Sequence, residues 1–125
     1  MNTPRYTQEH EWLRVEDDGS VTLGITDYAQ QQLGDIVFVE LPELGTHLDG
    51  ESNLVVIESV KAVGEVKLAA TGTVIALNTR LADEPELVNN APLADGWLVR
   101  VKLDDIALLD GLMDSNAYQA YIAEL

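Results

Sequence analysis

The sequence LVVIESVKAVGEVKL occupies residues 54–68. Apolar residues of the β-forming type lead up to Glu58 and Ser59 and resume at Val63, so this stretch predicts a β-hairpin with Lys61 at its tip. A lysine in that place is presented to solvent rather than buried. A tip lysine can simply keep a strand edge soluble. Its ε-amine can also be acylated, and the turn would then hold the attached group clear of the protein body.

Strand-type segments recur along the chain and are separated by turn signals such as Asp17-Asp18-Gly19. Their apolar residues do not alternate strictly, since residues 36–39 are all apolar. Such runs are typical of strands that are covered on both faces. The predicted strands cover residues 12–15, 21–25, 36–41, 54–60, 62–68, 72–77 and 97–103. This many short strands predicts a small β sandwich or barrel.

Two short helices are predicted between the strands. The first spans residues 27–33, because Thr26 suits an N-cap, Asp27 suits the positive first turn and Gly34 suits the end of a helix. The second begins near residue 83 or 84, with Pro85 at its first helical position, where the missing N–H costs nothing. It can last only a turn or two.

A third helix is predicted at the C-terminus, beginning at Asp114 or Ser115. Its apolar side chains recur at i, i+3, i+4 and i+7, which makes one stripe that can pack against the β body. The stripe consists of Tyr118, Tyr121, Ile122 and Leu125. We therefore expect this helix to be docked.

Acidic residues outnumber basic ones by 22 to 7, which gives a formal net charge of -15 at pH 7. Such a charge repels nucleic-acid phosphates and anionic membrane surfaces, and it favours basic protein partners. No apolar run approaches the ~20 residues that a membrane-spanning helix requires. We therefore expect neither a nucleic acid nor a membrane as a partner, and we expect a single domain spanning residues 1–125.

Few residue patterns in the chain suit metal binding or catalysis. The chain contains no cysteine, which excludes disulfides and thiolate metal sites. His10 and His47 are too far apart in sequence to form a metal-ligand motif. Ser59 lacks the flanking glycines of a nucleophile elbow and is better suited to shaping the turn. We therefore expect no metal site and no catalytic residue.

The segment Glu58-Ser59-Val60-Lys61-Ala62, with Gly72 following eleven residues after Lys61, resembles the lipoyl-attachment hairpin of the glycine cleavage system H protein family. Further blocks of the chain are similar to the family in the same order. They are YTQEHEW (6–12), GITDYAQ (24–30), LGDIVFVELP (33–42), PELVN (85–89), GWLV (96–99) and YQAY (118–121). The chain departs from the family pattern in the strand that leaves the hairpin, at residues 63–64 and 67–70.

The resemblance implies a mainly β fold, the barrel-sandwich hybrid of lipoyl and biotinyl carriers, with short helices near the N-terminal part and at the C-terminus. It implies lipoate as the cofactor, bound covalently as an amide of Lys61. The residues of the modification motif and turn are then Glu58, Ser59, Val60, Ala62 and Gly72.

The resemblance also implies a cleft in which the loaded arm can rest, with His10 and Glu11 as candidate lining residues. Glu11 can hold the protonated amine of an aminomethyl arm by a charge-assisted hydrogen bond. Taken from the residues alone, His10, Glu11 and Trp12 indicate strand packing and a surface acid instead.

A carrier rather than a catalyst is the role that the resemblance implies. The lipoyl-lysine would take the aminomethyl group of glycine from the pyridoxal-phosphate decarboxylase (P protein) to the tetrahydrofolate-dependent aminomethyltransferase (T protein). It would then present dihydrolipoate to dihydrolipoyl dehydrogenase (L protein) for reoxidation. Lipoate-attaching enzymes would be further partners. The expected location is the bacterial cytoplasm, or the mitochondrial matrix if a transit peptide has been removed.

Two other functions stay open at the level of the sequence. The chain can be an H-like lipoyl relay that donates lipoate to other complexes, or an unmodified acidic interaction module. A biotinyl carrier is disfavoured, because methionine usually flanks its lysine where Val60 and Ala62 stand here. An ordinary 2-oxoacid dehydrogenase lipoyl domain lacks the additional N- and C-terminal blocks.

Overall fold

Two antiparallel sheets make up most of the structure. The structure is a computed structural model, and it describes residues 3–50, 53–68 and 70–125. The strands are β1 (Arg5–Tyr6), β2 (Glu11–Val15), β3 (Val21–Ile25), β4 (Ile36–Glu40), β5 (His47–Asp49), β6 (Asn53–Ser59), β7 (Val63–Lys67), β8 (Thr71–Leu77) and β9 (Val99–Leu103). Within the described ranges, six strands form one sheet in the order β1-β2-β3-β9-β8-β5, and three form the other in the order β4-β6-β7. The predicted mainly β sandwich is confirmed.

The main core contains buried side chains from both sheets. Leu13 and Leu23 come from the six-stranded sheet, and Val55 and Ile57 come from the three-stranded sheet. A second cluster joins Trp12 of β2 to Tyr6 and Tyr118. Trp12 and Leu13 are adjacent on one strand, so their side chains point to opposite faces, and both are fully buried. β2 is therefore covered on both faces at these two residues.

The prediction that the apolar run at residues 36–39 is covered on both faces is wrong for β4. Val37 and Phe38 are 53% and 49% exposed. β4 is an edge strand of the three-stranded sheet, and its register shifts between Ile36 and Phe38, which turns this part of the strand outward. Consecutive apolar residues here mark an exposed surface rather than a strand covered on both sides.

The first predicted helix is confirmed. α1 spans Asp27–Leu33, the Thr26 hydroxyl accepts the N–H of Ala29 at its start, and Gly34 ends it with φ of 83°. The C-terminal helix, labelled α3 below, is also confirmed at Ser115–Ala123, with Asp114 as its N-cap.

The apolar stripe of the C-terminal helix is confirmed in part. Tyr118 is buried, and Tyr121 and Ile122 pack against the second cluster, whereas Leu125 lies beyond the helix and is 64% exposed.

The second helix begins later than predicted. α2 spans Leu87–Asn90, and a short 3₁₀ helix, Thr79–Ala82, precedes it. Around Pro85 the backbone makes tight i to i+3 hydrogen bonds, such as Val88 N–H to the Pro85 carbonyl. Pro85 therefore stands in a turn ahead of α2 rather than at its first position.

Candidate functional site

Ser59 fixes the backbone of the hairpin tip, which consists of Val60, Lys61 and Ala62. Its hydroxyl accepts hydrogen bonds from the N–H groups of Lys61 (3.3 Å) and Ala62 (3.0 Å). The hydroxyl donates to the Ala62 carbonyl over 3.1 Å, and the Ser59 N–H donates to the same carbonyl over 2.8 Å. The Lys61 side chain is exposed. The lysine thus combines a fixed backbone with a free side chain.

The tip is also tied to the segment that joins α1 to β4. The Val60 N–H donates to the Asp35 carbonyl over 3.0 Å. A Cβ built on Gly34 would lie 3.3 Å from Cε of Lys61, so the aliphatic stem of the lysine passes close to this glycine. The stem of the lysine therefore lies against the body as far as Cε.

Exposed apolar side chains surround the tip. Val60 and Val63, which flank Lys61 and Ala62, are 70% and 64% exposed. Glu58 pairs with Phe38 on one side and with Val63 on the other, so these three side chains share one face of the sheet. An exposed apolar patch with a charged residue in it is typical of a protein interaction surface.

A cleft of about 190 Å³ lies beside the hairpin and contains both predicted arm-cleft residues, His10 and Glu11. Its lining consists of Glu9, His10, Glu11, Ile25, Ala29, Gln32, Leu33, Ile57, Gly64, Glu65 and Val66. Ile57, Gly64 and Val66 belong to the strands of the hairpin itself. A Cβ on Gly64 would lie 3.2 Å from Cδ2 of Leu33, so the glycine at this departure from the family pattern leaves room for that side chain.

Glu11 is a buried acid, only 5% exposed, so its reading as a surface acid is wrong. Its carboxylate accepts hydrogen bonds from the Thr7 hydroxyl and from the Lys67 N–H, both over 3.3 Å. Burial raises the pKa of Glu11 to about 7, the charge of Glu9 adds to the rise, and the Lys67 N–H opposes it. Glu11 therefore changes its charge near neutral pH.

Acidic side chains gather around Glu11. A larger cavity of about 460 Å³ shares Glu9, Glu11 and Glu65 with the cleft, and Lys67 also lines it. A positive group placed in the cleft would be attracted to these carboxylates and would favour the ionised form of Glu11.

His10 lies in the turn before β2, so strand packing does not describe it, whereas strand packing does describe Trp12, which is fully buried in β2. His10 has φ of 71°, a backbone conformation that few residues other than glycine adopt. Its Nδ1 lies 2.8 Å from the Tyr118 hydroxyl, which lies 2.7 Å from the Thr26 hydroxyl. Burial lowers the pKa of His10, which favours a neutral imidazole at pH 7.

The structure does not bring Gly72 to the turn. Gly72 lies in β8, in the other sheet, where it pairs with Leu48 and Leu103. A Cβ there would collide with the Lys102 carbonyl, so the glycine permits the close approach of β9. The remaining motif residues, Glu58 to Ala62, do lie together at the tip.

The sequence indicates no role for two residues near the site, Tyr118 and Asn89. Tyr118 fits an apolar stripe, although a buried tyrosine hydroxyl needs a polar partner. Asn89 belongs to the PELVN block, which does not indicate what its side chain binds. Its side chain contacts Gly34 and Ile36, beside the residue that binds the tip. No local pattern indicates these partners, because they lie far away in sequence.

In the described part of the chain, no group of three or more His, Asp or Glu side chains is placed to hold a metal ion. None of the described helices is long and apolar enough to cross a membrane.

A two-sheet β fold that presents a lysine at a hairpin tip beside a cleft defines the class of the lipoyl- and biotinyl-type carriers. The family model for the glycine cleavage H-protein matches residues 4–125. The chain is 51% identical over 120 residues to the glycine cleavage system H protein of Halorhodospira halophila, covering 96% of this chain and 92% of that protein. It is 50% identical over 125 residues to that of Rhodospirillum rubrum, covering 100% and 99%.

Solved structures agree with these matches. The crystal structure of a glycine cleavage system H protein from Mycobacterium marinum superposes with a TM-score of 0.85 at 31% identity, covering 96% of each chain. The chain belongs to the glycine cleavage H-protein family. The resemblance found in the sequence is confirmed, and with it the expected role in glycine cleavage.

Proposed function

We propose that this chain is the lipoyl carrier of a glycine cleavage system and that lipoate is attached to Lys61. The observation that carries the assignment is the exposed Lys61 side chain on a backbone fixed by Ser59 and Asp35. The other two lysines of the sequence, Lys67 and Lys102, lie within strands. An enzyme that acylates a lysine needs access to its ε-amine, and a hairpin tip provides it.

The lining of the cleft suits the chemistry of a lipoyl arm. A lipoyl amide supplies a dithiolane that can be reduced and can carry the aminomethyl group of glycine. Ile25, Leu33 and Ile57 provide an apolar wall for its hydrocarbon chain, and Glu11 provides a carboxylate at the same cleft. Apolar walls with few polar groups are typical of small-molecule sites.

Glu11 would hold the positive amine of a loaded arm. An ammonium beside the carboxylate favours the ionised form and therefore lowers the pKa of Glu11 from its raised value of about 7. The same pair would be strengthened by its burial, because Glu11 is almost entirely removed from water. Shielding in the cleft would also limit attack by water on the carried group.

The chain would act as a carrier without a catalytic role of its own. Its partners would be the decarboxylase, aminomethyltransferase and dihydrolipoyl dehydrogenase of the system, and the enzymes that attach lipoate. The net charge of -15 favours fast, weak and salt-sensitive encounters with basic surfaces. The proposed location is the cytoplasm of a bacterium, and residues 1–125 would act as one domain.

Intact mass with peptide mapping, on protein from cells that can lipoylate, tests the proposal directly. We expect one lipoyl amide on the peptide that contains Lys61, and we expect no adduct on Lys61→Arg, which keeps the charge but cannot form the amide. Lys61 that stays free in those cells would contradict the proposal and favour the unmodified interaction module.

A further inference from the structure

Asn89 uses its side-chain amide on α1 and on the segment after α1 that supports the hairpin tip. Its Nδ2 donates to the Gly34 carbonyl over 2.9 Å and to Oε1 of Gln30 over 2.8 Å. Its Oδ1 accepts the Ile36 N–H over 2.8 Å. The carbonyl can only accept and the N–H can only donate, so the orientation of the Asn89 amide follows from its partners.

The bonds of Asn89 fall on either side of Asp35, the residue that binds the tip. The Ile36 N–H and the Asp35 carbonyl belong to one peptide group, which is planar and trans. Asn89 therefore binds one end of a rigid unit whose other end accepts the Val60 N–H over 3.0 Å. Fixing the Ile36 N–H therefore sets the direction of the Asp35 carbonyl.

The same segment also contacts the lysine directly. Gly34, whose carbonyl accepts from Asn89, lies against the stem of Lys61 and adopts φ of 83°. A chain that turns this sharply after a helix has few local bonds to hold it, and Asn89 supplies them from α2, more than fifty residues away.

From this geometry we infer that Asn89 is a positioning residue for Lys61. It orients the peptide group between Asp35 and Ile36, which holds the hairpin tip against the body and so sets where the lysine is presented to the enzyme that modifies it. The second half of the inference rests on the proposed lipoylation of Lys61, whereas the first half concerns the unmodified protein alone.

Three variants separate positioning from general stability. Asn89→Ala removes all three bonds, whereas Asn89→Asp keeps an acceptor for Ile36 and loses both donors. Asn78→Ala is the matched control, because the Asn78 amide also donates hydrogen bonds to two carbonyls, those of Asp95 and Trp97, and these lie away from the hairpin. Each variant is prepared as the unmodified full chain.

The first readout is amide hydrogen exchange at Val60, compared with core amides such as Leu23. We expect Asn89→Ala to speed exchange at Val60 by about tenfold, as the loss of one supported hydrogen bond predicts. Asn89→Asp should give a smaller effect. Asn78→Ala should leave Val60 near its wild-type rate even if Leu23 exchanges faster, because an amide at an exposed tip exchanges through local opening rather than through global unfolding. A Val60 rate in Asn89→Ala no faster than that in Asn78→Ala would overturn the inference.

The second readout is lipoylation of the same chains by a lipoate–protein ligase with lipoate and ATP. We expect Asn89→Ala to raise the KM for the carrier several-fold while kcat changes little, because misplacing the tip affects docking first. An unchanged KM alongside faster exchange at Val60 would overturn the functional half. A wild-type chain that is never lipoylated would refute the proposed function while the exchange result stands.

Discussion

The imidazole of His10 and the phenol of Tyr118 form a 2.8 Å hydrogen bond between residues 108 positions apart in the chain. Tyr118 belongs to the C-terminal helix, and His10 lines the cleft beside the hairpin. The Tyr118 hydroxyl also lies 2.7 Å from the hydroxyl of Thr26, the N-cap of α1. Docking of the last helix is therefore coupled to both the cleft wall and the first helix.

The protons of this network can be assigned. The Thr26 hydroxyl already accepts the Ala29 N–H, and Thr26 is 2% exposed, so its own proton needs a buried acceptor. Donation from Thr26 to Tyr118 and from Tyr118 to Nδ1 of His10 gives both hydroxyl protons an acceptor within the network. We therefore expect His10 to carry its proton on Nε2.

Replacing Tyr118 by Phe should destabilise the protein by about 1–2 kcal/mol, because the ring can still stack on Tyr6 but Thr26 loses its buried partner. The free energy of unfolding, measured with denaturant, checks the magnitude. Nitrogen chemical shifts of the His10 ring should show the Nε2–H form in the wild type and a mixed population in Tyr118→Phe. A dominant Nδ1–H form in the wild type would contradict the assignment.

Replacing Glu11 by Gln should change how stability depends on pH. The folded-state pKa of Glu11 is about 7 and its ordinary value is 4.5, so the folded protein binds more protons than the unfolded chain between those values. Wild-type stability should therefore fall relative to Glu11→Gln as pH rises from 4.5 to 7, by at most about 3 kcal/mol. A pH-independent difference between the two unfolding free energies would refute the raised pKa.

The same substitution should speed the loss of a carried aminomethyl group. Gln cannot balance the charge of the ammonium, so the loaded arm should leave the cleft more often, whereas attachment of lipoate to Lys61 should proceed as in the wild type. Release of the one-carbon unit from loaded protein, followed by mass spectrometry, gives the rate. An unchanged rate would show that Glu11 does not hold the loaded arm.

Alanine at Gly34, with alanine at Gly19 as the control, tests the contact between Gly34 and the Lys61 stem. Gly34 and Gly19 have φ of 83° and 87°, so an alanine at either position is strained. Gly34 also has ψ of -159°, a region that essentially only glycine adopts, so alanine there should cost about 1–3 kcal/mol of stability. A Cβ at Gly19 has nothing within 4 Å, whereas a Cβ at Gly34 meets the Lys61 stem. Lipoylation should slow in Gly34→Ala and stay at the wild-type rate in Gly19→Ala. Equal rates in the two variants would show that the contact has no influence on access.

Salt should weaken transfer between this carrier and its partner enzymes. Raising the ionic strength from about 0.05 M to about 0.5 M shortens the screening length several-fold, and a chain with net charge -15 should then meet basic surfaces more slowly. The second-order rate constant of transfer with each partner enzyme should fall. Unfolding measured in the same buffers is the control, because it shows whether the added salt destabilises the protein. Salt-independent rate constants would count against electrostatic docking.

Local signals explain which parts of the fold were predictable. The start of α1 at Thr26 and its end at Gly34 follow from residues next to each other in sequence. The hairpin around Lys61 is predictable for the same reason. β1 and β5 have two and three residues and exist only through pairing with other strands, so no local pattern marks them.

Burial by distant residues explains what the sequence could not supply. Glu11 looks like a surface acid because the N–H that binds it belongs to Lys67, 56 positions away. Val37 and Phe38 look like core residues because an apolar run does not show that its strand lies at an edge. The contacts of Asn89 likewise depend on how α2 packs against α1.

The hairpin tip is bonded from within by Ser59 and from the body by Asp35. A group attached to Nζ of Lys61 therefore swings from a backbone anchor that the body holds, and the torsions of the lysine stem and of the group determine the volume that it sweeps. The covalent length of stem and group sets the outer limit of that volume. Enzymes that act on one such arm in turn would then have to place their reacting atoms within that limit of the Lys61 backbone, however different their own folds.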